Sequence, residues 1–322
     1  MTRTFHRLAL WAFALLTLPM AAGAVGEAKT LNVLFIGNSF TARHNLSTVV
    51  KAMAEAGNPG LTFNRTDVIY GGRTLKDHWR LGSQNIVKQS TLTEAEEKAT
   101  IAALEKDFVD NPKDKYAPSA LARHRDLLPK LEANRKPWDI VVLQSYRDDI
   151  EGDPTLYAEY APKFAALAKA QGARVILYET TPNTQNPKPL TKAPDPAPIL
   201  AKEHAIAALA KRIDASVAPM AFVAQRCQTQ RPDLTLRFVN DAHLNQTMAY
   251  LTACTLYAAL FNQSPVGLPI DSITDIRTIE DGSNDKTKDR DGGPITRKFS
   301  DQDRTDLQRI AWEGWSEFQK LQ

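Results

Sequence analysis

The sequence predicts an α/β fold: a central parallel sheet covered by helices on both faces. Three observations carry this. Short apolar runs, "NVLFIG" at 32–37 and "DIVVLQ" at 139–144, read as buried strands. Longer segments of helical apolar periodicity separate such runs, and strands that alternate with helices build a parallel sheet. The composition, 43% hydrophobic and 24% charged over 322 residues, is that of a globular chain and not a disordered one.

The N-terminus differs in kind from the rest. Arg3, His6 and Arg7 precede the apolar run "LALWAFALLTLPMAAGA", which ends in the small-x-small pattern Ala22-Gly23-Ala24. This is expected to be a secretory signal peptide, residues 1–24, and is set aside from the fold. The run is shorter than the ~20 apolar residues that a spanning helix needs. Export to the periplasm or the extracellular space is therefore expected, without stable membrane insertion after cleavage. Without Arg3 and Arg7 the formal charge falls from +3 to +1. A nearly neutral chain argues against nucleic acid as a partner.

From residue 30 the elements follow in order. "TLNVLFIG" (30–37) is a buried strand, and "STVVKAMAEAG" (47–57) a helix that stops at Gly57. "LTFNRTDVIYGG" (61–72) alternates as a strand and stops at Gly71-Gly72. Residues 92–134 read as helical, broken near "DNPKDKYAPS" (110–119). "WDIVVLQS" (138–145) is a strand, "YAEYAPKFAALAKAQG" (157–172) a helix, and "ARVILYETT" (173–181) a strand. "ILAKEHAIAALAKRID" (199–214) is a helix, "ASVAPMAFV" (215–223) a last short strand, and "NQTMAYLTACTLYAALF" (245–261) a helix. Trp312 and Trp315 lie near Ile310 and Phe318 on a final helix and read as packing residues. No linker divides the chain, so residues 30–322 are expected to form one domain with a helical insertion around 82–135.

Two stretches read as irregular. "TPNTQNPKPLTKAPDPAP" (181–198) is too Pro-rich for a helix or central strand, and "EDGSNDKTKDRDGG" (280–293) is charged. Both are expected to be surface loops. The first follows the carboxyl end of a strand, the edge where open α/β sheets bind ligands, and so is also a candidate pocket rim. Cys227 and Cys254 either pair or sit apart as buried thiols; sequence alone leaves both open.

The chemistry begins at "GNS", residues 37–39. A residue just past a parallel strand faces the crevice at the sheet edge, and Gly37 permits a sharp turn there. Ser39 is thus either a nucleophile or the cap of the following helix. "NDAHLN" (240–245) supplies a second clue: Asp241 and His243 stand just before a helix. Serine needs a base to attack at neutral pH, histidine is the side chain poised there, and a carboxylate orients its ring. No His/Cys/Asp cluster has metal-ligand spacing and no glycine-rich loop has a nucleotide fingerprint, so no cofactor is expected.

These blocks resemble the SGNH hydrolases, the GDSL-like esterases, in their GNSFT-type variant. "VLFIGNSFT" looks like the family's first block, "IYGGRTLKDHW" its second, "DIVVLQSY" its third, and the Asp/His segment its last. "YLTACTLYAALFNQSPVG" and "LQRIAW" are similar to the variant's C-terminal region, so the resemblance spans about residues 31–315. It implies a flavodoxin-like three-layer α/β/α sandwich. It also implies that Ser39 attacks an ester carbonyl while His243 takes its proton. An oxyanion hole would come from the Ser39 N–H, a glycine N–H of Gly71 or Gly72, and the side-chain amide of Gln144. Such donors are worth ~3 kcal/mol each.

Two departures accompany the resemblance. Gln144 stands where the family offers asparagine. The usual Asp-x-x-His spacing would place Asn240 at the acid position, whereas Asp241 lies two before His243. Asp241 is the favoured acid because only a carboxylate stabilises imidazolium by charge. Asn38, Arg73, His78, Trp79 and Tyr146 are candidate pocket residues from their places beside these blocks. The expected protein is an exported serine esterase of small acyl esters, with acetyl on a carbohydrate as one candidate substrate. The alternatives are a non-catalytic glycan-binding relative, and a lipase, thioesterase or O-acyltransferase of the same fold.

Overall fold

The computed structural model describes residues 29–146, 155–180, 182–276 and 286–322. The proposed signal segment lies outside the described residues. Strand β1 (Lys29–Gly37) is followed by a one-turn helix α1 (Ser39–Ala42) and by α2 (Leu46–Gly57). Strand β2 (Leu61–Ile69) leads to α3 (Leu75–Arg80), α4 (Ser83–Val87), α5 (Glu94–Asp110) and α6 (Ala117–Leu127). Then come β3 (Ile140–Gln144), α7 (Leu156–Lys169), β4 (Arg174–Tyr178), α8 (Ala197–Ile213) and β5 (Ser216–Ala218). The chain closes with α9 (Met220–Gln230), α10 (Gln246–Phe261), the short strands β6 (Ser272–Thr274) and β7 (Thr296–Lys298), and α11 (Asp301–Phe318).

Strands β1 to β5 form one sheet in the order β2-β1-β3-β4-β5, with every pairing parallel. This is the flavodoxin-like order. Successive strand residues point to opposite faces, so one apolar run feeds two cores. Val33, Phe35, Ile140, Val142, Ile176 and Tyr178 join the core under α2, α9, α10 and most of α11. Leu34, Ile36, Val141, Leu143, Val175 and Leu177 join the opposite core, under α3 to α8. The molecule is therefore a three-layer α/β/α sandwich, as the resemblance implied. Apolar residues of α4, α5 and α6, such as Val87, Leu104 and Leu121, belong to that second core.

Several helix starts are written in the sequence. Thr74 and Thr93 begin capping boxes with Asp77 and Glu96, and Ser300 and Asn245 cap α11 and α10. One expectation needs correction. "ASVAPMAFV" is a strand only to Ala218: Pro219 cannot extend the ladder and Met220 opens α9. On either side of the charged stretch, β6 and β7 pair antiparallel, two strands that the sequence reading did not include. Their three-residue strands carry no periodicity to detect. Cys227 and Cys254 are buried free thiols on α9 and α10. Trp315 is buried in the α10–α11 core, with Trp312 packed beside it. Among the described residues no helix is long and apolar enough to cross a membrane.

Candidate active site

The carboxyl end of β1 makes the first part of the site. A Cβ on Gly37 would lie 2.5 Å from Gln144 Oε1 and 2.6 Å from Thr41 Oγ1, so only glycine allows this approach. Asn38 is buried and caps α1 by accepting from the Phe40 N–H at 3.1 Å. Ser39 is the first residue of α1, where a helix leaves its N–H groups without intrahelical partners. Among the described residues the Ser39 N–H donates to no acceptor. The same holds for Gly71 and Gly72 in the turn after β2, which closes through the Arg73 N–H on the Tyr70 carbonyl at 3.1 Å. Gly72 takes φ +68°, the left-handed value that a turn of this shape requires. The Asn38 side-chain amide donates to the Arg73 carbonyl at 3.1 Å and ties the two turns together.

The second part comes from the segment before α10. The Ser39 hydroxyl lies 2.8 Å from His243 Nε2. His243 Nδ1 lies 2.5 Å from Asp241 Oδ1, and the same oxygen accepts the His243 backbone N–H at 3.0 Å. The two-residue spacing thus works as an Asx turn that folds the carboxylate back onto its own histidine. Asn240 is exposed, and it is Asp241 whose carboxylate meets the His243 ring. The Phe40 ring packs against the imidazole, 5.1 Å between centroids. Burial opposes the charge of Asp241. The His243 ring and backbone donors, with the Arg290 guanidinium, outweigh it and hold the carboxyl well below its usual range.

This arrangement brings together a hydroxyl, an imidazole that can accept its proton, and a carboxylate that fixes the ring. Such a group can make serine nucleophilic at neutral pH. Three backbone N–H groups, of Ser39, Gly71 and Gly72, are candidate oxyanion donors.

Gln144 is at the site but is turned away from that task. Its Oε1 accepts from the Asn38 N–H at 2.9 Å and from Thr41 Oγ1 at 2.6 Å. Its Nε2 donates to Asn38 Oδ1 and to the Ser145 carbonyl, both at 2.7 Å. An amide nitrogen has two hydrogens, and both are used within the protein. The extra methylene relative to asparagine lets the amide reach behind Asn38 and brace the serine turn.

Three of the candidate pocket side chains are likewise engaged within the protein. The Asn38 side chain is buried in the network just described. His78 is buried: Nε2 donates to the Gly37 carbonyl at 2.9 Å and Nδ1 lies 3.0 Å from Ser83 Oγ. Burial pushes its pKa down to about 4 despite the Gly37 carbonyl, so it is neutral and pins the end of β1 from behind. Trp79 packs edge-on against Phe164 at 5.2 Å and Tyr160 at 6.2 Å, on the rim of a core. Arg73 stays beside the site, with its guanidinium 4.9 Å over the Tyr116 ring. It borders a polar groove of about 540 Å³ shared with Asp77, Arg80, Asp107, Asn111 and Lys113. Tyr146 is partly exposed after β3.

Sequence reading missed three residues. Arg290 Nη1 lies 2.9 Å from Asp241 Oδ2, and Arg43 Nη2 lies 3.7 Å from it. Arg290 belongs to "KDRDGG", a run that reads as a solvated loop; part of that loop, 277–285, lies outside the described residues. His44 is the third. It sits at φ +57° in the α1–α2 link, and its Nε2 donates to the Leu244 carbonyl at 2.8 Å. That strained turn clasps the residue after His243. The Pro-rich stretch 182–196 packs against the segment leading to Asp241: Leu236 N–H donates to the Asn186 carbonyl at 2.9 Å and Arg237 Nε to the Gln185 carbonyl at 3.0 Å. No group of three or more His, Cys, Asp or Glu among the described residues could hold a metal ion.

No protein-family model matches the chain, and no curated protein matches it. Solved structures similar to it include a protein from Slackia heliotrinireducens described as a "putative SGNH hydrolase". That likeness has 19% identity and a TM-score of 0.42, over 72% of this chain and 100% of that one. A DUF4886 family protein from Bacteroides uniformis is also similar, at 15% identity and a TM-score of 0.46, over 88% of this chain and 94% of that one. The chain has a flavodoxin-like α/β/α sandwich, with the serine turn, the glycine turn and the Asp-x-His segment gathered at the carboxyl edge of its sheet.

Proposed function

We propose that this protein is a serine hydrolase that cleaves small acyl esters. One observation carries the reading: Ser39 Oγ is 2.8 Å from His243 Nε2 while His243 Nδ1 is 2.5 Å from Asp241. Ser39 attacks the ester carbonyl as His243 takes its proton. The negative oxygen that forms is met by the Ser39 N–H and by the Gly71 or Gly72 N–H. His243 returns the proton to the leaving alcohol, then activates water to release the acid. The polar groove beside Arg73 supports a hydroxyl-rich leaving group, and an O-acetylated carbohydrate is the substrate class we favour. The reading includes export, supported by the signal-like residues 1–24; cell fractionation and N-terminal sequencing of the mature protein check it.

Hydrolysis of p-nitrophenyl acetate and labelling by a fluorophosphonate test the chemistry, with Ser39→Ala as control. Both are expected for the wild type and neither for the variant. Wild-type protein inert to both reagents sinks the proposal.

A further inference from the structure

The triad geometry uses one oxygen of Asp241. The other, Oδ2, faces guanidinium groups from two distant parts of the chain. Arg290 Nη1 is 2.9 Å away and Arg43 Nη2 is 3.7 Å away. All three side chains are largely shielded, with 17% of Arg290, 8% of Arg43 and 15% of Asp241 exposed. An ion pair sheltered to this degree is screened far less than one on the surface.

The loop that carries Arg290 is itself fastened to the Asp-x-His segment. Asp291 accepts the backbone N–H of Val239, two residues before Asp241, at 3.0 Å. Asp289 accepts the N–H groups of Asp291 and Gly293 at 3.0 and 2.8 Å, and Gln246 Nε2 reaches it at 3.2 Å. Gln246 opens α10, three residues after His243. Arg290 is therefore held on both sides of the histidine it faces through Asp241. Behind Arg43, His44 and Asp275 are both buried, with His44 Nδ1 3.5 Å from Asp275 Oδ1.

Why should the acid need such a clamp? In an Asx turn one carboxylate oxygen serves both the backbone and the ring of the same residue. The side chain can still pivot about its last torsion, a soft twofold rotation, unless the second oxygen is also held. A guanidinium at hydrogen-bonding distance supplies that hold. We propose that Arg290 is a positioning residue for the triad, holding Asp241 Oδ2 so that Oδ1 stays aimed at His243. This rests on the serine-hydrolase reading above. The clamp has a cost: a cation behind the carboxylate opposes the imidazolium that forms when Ser39 gives up its proton. Arg290 therefore sets two quantities in opposite senses. It raises the fraction of molecules with an aligned ring, and it weakens the attraction that stabilises the charged ring.

The full-length mature protein tests this through the rate of fluorophosphonate labelling and kcat/KM on p-nitrophenyl acetate, each measured from pH 5 to 9. Among the described residues the charged groups facing the Asp241–His243 pair are Arg290 and Arg43, with Asp289, Asp291, His44 and Asp275 behind them. Arg290→Met should lower both rates about 10-fold on the alkaline plateau, since misplacement in a proton-transfer pair costs one to two decades. It should also move the acidic limb upward by about half a pH unit, less than the 1–3 units of a charge in direct contact. Arg290→Lys keeps the charge but loses the planar fork. It should leave the limb in place and recover part of the rate. Folding is checked by circular dichroism. If Arg290→Met does not fold, Arg290→Gln takes its place: a lowered plateau with the limb moved up supports the clamp, and a plateau equal to wild type overturns it. A folded Arg290→Met with wild-type plateau and limb overturns the proposal. So does a lowered plateau whose limb stays fixed while Arg290→Lys is equally impaired, which marks Arg290 as packing alone. Wild-type protein that is not labelled at all fails at Ser39, and overturns the hydrolase reading along with the clamp.

Discussion

Asp241 and Asn240 stand side by side, and only one of them reaches the imidazole. Asp241→Asn keeps the shape and removes the charge, and should lower kcat on the order of 10²-fold, within the range that general-base assistance supplies. Asn240 is exposed, so Asn240→Ala should leave kcat within about twofold. Wild-type kcat in folded Asp241→Asn would leave Ser39 and His243 as a dyad. Gln144 poses a different question, because its amide braces Asn38 and the start of α1. Gln144→Ala should cost about 2–4 kcal/mol in urea unfolding, since it orphans buried partners. An oxyanion donor would behave otherwise: unchanged stability and a loss of about 10²–10³-fold in kcat. The residue types of the site were legible because serine, histidine and a carboxylate in this order point to one chemistry. The direction of the Gln144 amide was not, since it is fixed by Thr41 and Ser145 across a packed turn. Arg290 offered no signal at all: in sequence it is one charge among several in a charged loop.

The elements differ in how far they can be read for the same kind of reason. β3 is buried throughout, β1 from Val33 and β4 from Val175, and the apolar content of these runs announces them. β6 and β7 are three residues each and exist through their pairing with one another. α3 shows the gap between placing an element and assigning its side chains. Its capping box fixes where it starts, yet nothing local says that His78 turns toward Gly37 or that Trp79 turns toward α7. The packing yields a prediction. Trp79→Ala should lower stability by about 2–4 kcal/mol, toward the low end for an indole because Trp79 is only partly buried. The KM for p-nitrophenyl acetate should stay within about twofold. A several-fold rise in KM with an unchanged melting temperature would return Trp79 to the substrate pocket.

Across the whole molecule, buried ionisable groups set how stability depends on pH. His78 is neutral in the fold, with its pKa pushed by burial from 6.5 to about 4, and burial lowers that of His44 as well. Between those values the unfolded chain binds a proton that the folded chain does not. Stability is therefore full above about pH 6.5 and falls as pH drops toward 4, by up to about 3 kcal/mol for His78. Glu203 acts in the opposite direction. It lies buried on α8 beside Glu179, at the carboxyl end of β4, and accepts the Phe222 N–H at 2.9 Å. Burial, then the neighbouring Glu179 charge, raise its pKa well above 4.5, so the folded chain keeps a proton that the unfolded chain has released. Its contribution to stability is full below pH 4.5 and is lost as pH rises through the raised value. Glu203→Gln keeps an oxygen for the Phe222 N–H and an N–H for Glu179, but cannot ionise. Its unfolding free energy, measured by urea at pH 6 and pH 9, should exceed that of wild type at pH 9 by more than at pH 6. Equal differences at the two pH values would mean that Glu203 does not exchange its proton on unfolding, and the alkaline loss would have to come from another group.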